Sequence, residues 1–467
     1  MSHDRQFGRR KFLKHGMTSI AGLSLTGLSL SHCASIDGIF TGEKILFDQE
    51  VLIIGGGISG LLCAHYLQQK GIPFVVIESH QRLGGRIASV RGLSANNDPI
   101  ISELGPWFIR PSQKNLQEFF KSLQIPLISQ SLAIKHQHEM AQGSQWIEAW
   151  KKFNSRLNNQ RNLLFSGAPQ FLSYQNAFSF SELVAFDKLT AAEWLASIGK
   201  HFSASFLSHV AGIIQSHFQA NLEQVSALQV LVNLDFSFYQ GLAERKSIIV
   251  PQGGFQRCID HLSNRLSGSV GAFRIKTNTQ LIQIAERKTW FECQLQSLTD
   301  SRWVLAKRVI MTVPIQALKQ IKGITDLNLS ERKKQFISQV QSVSLKSSSR
   351  IQPTKTDGLT SLIIKDKSIE WASKDEQRQI AFADLASAGQ AEQWETSIDW
   401  SSRLGTWGGR INYRPGEYLT YLGAGSESAY DHRLCFAGDT TPASQFNDLE
   451  GAIASARLAT ERILTTF

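Results

Sequence analysis

Five cysteines are spread through 467 residues, at Cys33, Cys63, Cys258, Cys293 and Cys435, and no two stand in C-x-x-C spacing. Neither a zinc site nor a disulfide scaffold is suggested, and free thiols are expected. Charged residues make up only 19% of the chain against 42% hydrophobic. That balance excludes a disordered tail protein and leaves apolar material for a real core. After residue 35 there is no run of Lys and Arg interleaved with aromatics, which argues against a nucleic-acid partner. The net charge is +10, but residues 1–35 carry Arg5, Arg9, Arg10, Lys11 and Lys14 against Asp4 alone, so the surplus elsewhere is modest. The length fits about three domains, or a large two-domain enzyme.

Residues 8–14 read GRRKFLK and lead into an uncharged stretch, Gly16 to Ser31, in which nine of sixteen residues are Gly, Ser or Thr. A transmembrane helix needs about 20 predominantly apolar residues, and this segment is shorter and weaker. It reads as an export leader, the alternative being a basic disordered start. The pattern resembles a bacterial twin-arginine signal, with Gly8 where Ser or Thr is usual. That resemblance implies passage through the twin-arginine export machinery, already folded and often around a tightly held cofactor, to the periplasm or cell envelope. Leu30-Ser31-His32-Cys33 is similar to a lipoprotein cleavage box, with His32 where Gly or Ala is usual, and makes Cys33 a candidate lipid anchor. Residues 1–40 are read as signal and linker.

From Lys44 the sequence KILFDQEVLIIGGGISGLLCAHYLQQKGIPFVVIES parses as strand, glycine turn, helix and strand. Gly55, Gly57 and Gly60 have G-x-G-x-x-G spacing: a tight turn, a close backbone approach to a pyrophosphate, and close helix-on-strand packing. Ile58 and Ser59 lie in the same turn, where the helix N-terminus brings partial positive charge to phosphates. Glu78, 23 residues after Gly55 and followed by Ser79, ends the second strand, where a carboxylate can accept from ribose hydroxyls. The alternative is a glycine turn in an ordinary α/β fold. Arg82-Leu83-Gly84-Gly85-Arg86 follows, and then Glu103-Leu104-Gly105-Pro106. Bare backbone amides and guanidinium groups beside a diphosphate suit an extended dinucleotide.

With R-x-G-G-R in this position, the chain resembles the FAD-dependent amine oxidase superfamily. Val250-Pro251-Gln252-Gly253-Gly254-Phe255, with Cys258 and Leu262, resembles that family's V-P-x-G-G segment entering a helix. Ile275 to Ile284 resembles the strand whose backbone contacts the adenine, with Leu281 where valine is common, and Val309 to Pro314 resembles the strand returning to the dinucleotide fold. Leu434 to Ile463 is similar to the F-A-G-E/D strand followed by E/H-G-A and a small-residue helix. The resemblance implies that Gly438, Asp439, Gly451 and Ala452 meet the cofactor. Asp439 would accept from ribityl or phosphate-side hydroxyls, and the helix starting near Glu450 would stabilise negative charge on the flavin. The alternative for that helix is plain packing against the first strand.

The expected fold is α/β: a discontinuous Rossmann-like FAD-binding domain (45–115, 241–322 and 400–467) plus a mixed α+β substrate domain (116–240 and 323–399). The aromatics Trp146, Trp150, Phe153, Phe171, Phe178, Phe180, Phe202, Phe206, Phe218, Phe236, Phe238 and Tyr239 of the substrate stretch line a pocket or, the favoured reading, build a core. The expected reaction passes a hydride equivalent from a small-molecule substrate, an amine or amino acid, to flavin N5. Oxygen or another electron acceptor then reoxidises non-covalent FAD, and no metal takes part.

The sequence departs from the family pattern in places. Gly409 and Asp448 stand where many amine oxidases have a pair of aromatic rings, leaving Asp448 either to bind a cationic group or to cap the helix. Gly408 stands where some members tether the flavin through cysteine. Lys346 is the candidate for a lysine that holds water near the flavin, or is an exposed strand lysine. Lys365 to Asp375 and the Gly-Asp form of the C-terminal motif are similar to renalase-like oxidases of reduced nicotinamide isomers. A non-amine substrate and a non-catalytic flavin-binding protein are therefore the alternatives.

Overall fold

The computed structural model describes residues 48–93, 99–106, 108–130, 144–165, 177–244, 246–267, 275–340, 342–343, 346–352, 361–363, 394–399, 410–442 and 447–467. Gly8, Arg9, Arg10, Cys33, Phe171, Lys365 to Asp375, Gly408 and Gly409 lie outside the described residues.

In chain order the first elements are β1 (Asp48–Ile54), α1 (Ile58–Gln69), β2 (Phe74–Ile77), β3 (Ser89–Leu93), β4 (Pro99–Glu103), α2 (Lys114–Ser122) and β5 (Leu127–Gln130). A helical stretch follows: α3 (Ser144–Phe165), α4 (Ser181–Asp187), α5 (Ala191–Gly199), α6 (Ala204–Phe218), α7 (Ala227–Asn233) and α8 (Phe236–Ala243). Next come β6 (Ile248–Pro251), α9 (Gln256–Ser267), β7 (Ile275–Lys276), β8 (Thr279–Arg287), β9 (Trp290–Ser297), β10 (Ser301–Met311), α10 (Ile315–Gln320) and α11 (Glu331–Gln339). The chain closes with β11 (Ser342–Val343), β12 (Lys346–Gln352), β13 (Ser361–Ile363), β14 (Trp394–Asp399), β15 (Arg410–Ile411), α12 (Glu417–Thr420), β16 (Leu434–Phe436) and α13 (Leu449–Leu464).

The result is a mixed α/β fold around a sheet ordered β7-β2-β1-β10-β9-β8, with β16 also on β10. Pairs β7–β2, β2–β1, β1–β10 and β10–β16 are parallel, while β10–β9 and β9–β8 are antiparallel. One strand, β10, therefore does two jobs. Its first half closes a meander with β9, and its second half carries the parallel ladder to β1 and β16. The segment 275–284, read from sequence as one strand, is two: the chain turns at Thr277–Asn278, where Asn278 has φ 51°. Asparagine tolerates this left-handed conformation better than most residues.

Parallel strands covered on both faces must be apolar throughout, and β1 shows why. Val51 and Ile53 enter one core with α1, α2, α9 and α13, whereas Leu52 and Ile54 enter a second core with β8, β9 and helices α3–α8 and α10–α12. Within that second core Trp150, Phe153, Phe206, Phe218 and Phe236 are buried, so the core reading holds for them, while Phe178 is 47% exposed. Most of α2 lies in the stretch 116–240, yet Leu116, Phe119 and Phe120 pack in the first core beside α1 and α13.

α1 and α13 approach closely because their contact is built from small residues. Ser59 Oγ donates to the Ala452 carbonyl at 3.0 Å and Cys63 Sγ to that of Ala456 at 3.5 Å. Among the described residues, no helix is long and apolar enough to cross a membrane.

Candidate cofactor and active site

Register brings the ends of four parallel strands level: Ile77 pairs with Ile54, Ile54 with Met311, and Met311 with Phe436. The next amides continue the ladder. Gly55 N–H donates to Ile77 O at 2.8 Å, Thr312 N–H to Ile54 O at 2.8 Å, and Ala437 N–H to Met311 O at 2.9 Å. Loops from β1, β2, β10 and β16 thus leave from one row at the carboxyl edge, the place where α/β sheets bind ligands.

The glycines on this row differ in purpose. A Cβ on Gly60 would stand 1.9 Å from the Gly55 carbonyl, so Gly60 lets the helix start against the turn. Gly57 has φ −71°, which any residue adopts, and a Cβ there would meet nothing nearer than the Gly85 Cα at 3.9 Å. A Cβ on Gly438 would meet nothing within 4 Å. Gly57 bridges to Gly84, Gly84 N–H donates to Gly56 O at 2.8 Å, and Arg86, next to Gly85, forms an ion pair with Asp439, next to Gly438. Three sequence-distant glycine turns therefore share one bare cradle that side chains would fill. This fits an elongated dinucleotide, with the N-termini of α1 and α13 supplying positive potential.

Glu78 is buried at the end of β2. Its carboxylate accepts from Gly56 N–H at 2.7 Å, His80 N–H at 2.9 Å and Ser79 Oγ at 3.1 Å. It staples the glycine turn as well as standing where a ribose would arrive. Arg82 is turned into its own loop: Nη1 donates to Ile87 O at 2.7 Å and Leu83 O at 2.9 Å, and Nη2 to Gly85 O. These bonds shape the Gly84–Gly85 turn, while Arg86 faces Asp439. Gly105 passes against Arg86, with a would-be Cβ 2.0 Å from the Arg86 carbonyl, flanked by Leu104 and Pro106. The Leu281 side chain is buried in the sheet opposite Leu295, which leaves its backbone as the part able to meet a ligand. Ile58 is buried at the start of α1, and Gly451 and Ala452 are buried in the first turn of α13. Ser455 Oγ accepts from Gly438 N–H at 2.9 Å, tying that helix to the β16 turn.

Asp448 takes the capping role and has a cationic partner as well. Its carboxylate caps α13 by accepting from Glu450 N–H at 3.1 Å, and it pairs with Arg110 while accepting from Gln113 Nε2 at 2.7 Å. The cation it binds is the protein's own. Lys346 opens β12, opposite Asp399 of β14.

Arg110, Arg410, His217, Asn447 and Ser455 were not legible as site residues. Burial, reinforced by Arg410 and Arg110, holds the His217 imidazole well below its ordinary pKa, and burial raises that of Tyr239. Among the described residues no group of three or more His, Cys, Asp or Glu side chains could hold a metal ion, and Cys63, Cys258, Cys293 and Cys435 are free and buried.

The family model for flavin-containing amine oxidoreductases matches residues 58–348, well over half of the chain, and the chain belongs to that family. A stretch of 95 residues is 39% identical to protoporphyrinogen oxidase of Bos taurus, covering 20% of this chain and 19% of that protein. A stretch of 79 residues is 35% identical to the flavin-containing amine oxidase of Oncorhynchus mykiss, covering 17% and 14%. These alignments span at most about a fifth of the curated relatives' lengths. The fold is similar to that of cyclohexylamine oxidase from Brevibacterium oxydans IH-35A, with a TM-score of 0.67 at 18% identity over 90% of this chain and 99% of that one.

Proposed function

We propose that the chain oxidises a small-molecule amine or amino acid, with a Rossmann-like FAD domain assembled from residues 45–115, 241–322 and 400–467 and a substrate side formed by 116–240 and 323–399. When bound, FAD supplies the two-electron acceptor for a hydride equivalent and later yields those electrons to oxygen or another acceptor. The observation that carries this reading is the shared cradle of Gly57, Gly85 and Gly438.

Around that cradle the chain's own groups have separable tasks. Gly57 and the α1 N-terminus receive the diphosphate, Arg86 stands beside it, and Glu78 accepts from ribose hydroxyls. The N-terminus of α13, fixed by the Asp448 cap, places its positive end where negative charge develops. Anaerobic stopped-flow reduction with a panel of amines, amino acids, polyamines and reduced nicotinamides tests this: bleaching by an amine or amino acid is expected.

A second reading has one observation in its favour. At Asp448, the position of a cage aromatic in many family members, the side chain is engaged by Arg110. An FAD oxidase or dehydrogenase of a non-amine donor, renalase-like or other, would then be bleached only by that donor, and a non-catalytic flavin-binding protein by none. Residues 8–33 support export through the twin-arginine route to the periplasm or cell envelope, with Cys33 as a lipid anchor. N-terminal sequencing and mass spectrometry of envelope fractions would test both.

A further inference from the structure

We propose that the substrate carries a carboxylate, and that Arg410 and Tyr239 receive it where the C-terminus of α6, α8, β15 and the N-terminus of α13 meet. The inference rests on the flavin oxidoreductase reading and deepens it by naming the substrate class.

These elements are drawn together by specific contacts. Asn447, one residue before the α13 cap, brackets Ile411 of β15: its Oδ1 accepts from Ile411 N–H at 3.0 Å and its Nδ2 donates to Ile411 O at 2.7 Å. On the other side, Arg410 Nη1 donates to His217 O and Asn412 Nδ2 to Phe218 O at 2.6 Å, closing the last carbonyls of α6. The segment carrying Arg110 is pinned to α8 by stacked Phe108 and Phe238 rings, 4.7 Å apart, and by Ser112 Oγ donating to Asp235 Oδ2 at 2.8 Å. Tyr239 follows on α8, its ring stacked with Trp150 at 6.1 Å.

Arg410 is deeply set, yet only partly shielded. The carbonyl of His217 accounts for one of its five donors, and among the described residues no carboxylate bonds to it. Both nearby carboxylates are engaged: Asp439 by Arg86, and Asp448 by Arg110, Gln113 and the α13 amide. Placement at the α6 C-terminus explains how the cation is tolerated, but that cap leaves most of the guanidinium fork unused. The Tyr239 hydroxyl likewise has no hydrogen-bond partner among the described residues. Nearby, the buried His217 Nε2 and Asn412 Oδ1 have none either. This corner therefore holds more hydrogen-bonding capacity than the protein uses. A guanidinium fork plus a phenol is the donor set that a planar carboxylate satisfies, and a buried cation gains most from such a partner.

The same chemistry could be met by the cofactor's diphosphate, and two readouts separate the sources. Holoenzyme is titrated with benzoate, and in parallel with benzyl alcohol, following the flavin absorbance, in wild type and in Arg410→Met, Arg410→Lys and Tyr239→Phe. FAD affinity is measured for each. The expected result is that benzoate perturbs the wild-type flavin spectrum and binds about tenfold or more weakly to Arg410→Met. Arg410→Lys and Tyr239→Phe should be weakened less, with benzyl alcohol and FAD affinities unchanged. Equal benzoate affinity in all four, or no wild-type response, overturns the proposal. So does a loss confined to FAD affinity, which would make Arg410 a cofactor residue. If Arg410→Met does not fold, the lysine and phenylalanine variants decide the question by the same comparison with wild type. Wild-type protein that binds no flavin would instead sink the underlying reading.

Discussion

Lys333 shows how much one buried charge can govern. It is 2% exposed, donates to the Gly425 carbonyl at 2.6 Å and lies 3.6 Å from the centre of the Phe436 ring, directly behind the strand that leads to Gly438. Burial lowers its pKa from 10.5 to about 7, with Glu427 and Cys435 opposing the shift and Arg462 and Arg332 adding to it. The unfolded chain therefore holds a proton on this residue, between about pH 7 and 10.5, that the folded chain has released, so its contribution to stability rises with pH across that window. Below pH 7 both states are charged and the burial cost is fully present. Lys333→Met should thus raise the melting temperature most below pH 7, with the gain shrinking toward pH 10.5; paired melting curves against pH check this.

The cysteines obey the same physics in the opposite sense. Burial pushes Cys63 and Cys435 up to about 12 and raises Cys258 and Cys293 as well. Thiolates, not thiols, alkylate. Native protein at pH 8 should leave these four unmodified by iodoacetamide, and denatured protein should not, as mass mapping would show.

Elements meet at the site through backbone contacts that leave little room for side chains. The start of α1 depends on Gly60, so Gly60→Ala should cost about 1–3 kcal/mol or more by overpacking the turn. α13 is tied to β16 by Ser455, whose removal strands the Gly438 N–H, and Ser455→Ala should cost about 1–3 kcal/mol in urea unfolding. The βαβ unit was readable because strand, glycine turn, helix and acid are contiguous. The break at Asn278 was passed over, although it falls in the polar run Lys276 to Gln280, because 275–284 reads as a single strand on its resemblance to one family segment. The Arg110–Asp448 pair joins residues 338 positions apart, and no local pattern announces such a meeting. The choice between cap and cation site at Asp448 dissolves for the same reason: the helix start came from nearby sequence, and the cation came from far away.

For the molecule as a whole, glycine spacing pointed to turns that the structure brings to one edge of the sheet, while the aromatic composition of 116–240 could not tell core from pocket. Packing decides that, and it puts Trp150 and Phe153 in the core while leaving Tyr239 and Arg410 at a corner with unused donors. The central claim is that glycine turns from 55–60, 84–85 and 438 hold one FAD between them. Its most direct test uses Gly57→Ala, because the backbone there accepts alanine and the added methyl meets no protein atom nearer than the Gly85 Cα at 3.9 Å. FAD affinity and the melting temperature of the flavin-free protein should be measured for both forms. The account predicts unchanged melting and FAD binding weakened about tenfold or more by the intruding methyl. Wild-type affinity in Gly57→Ala would contradict it.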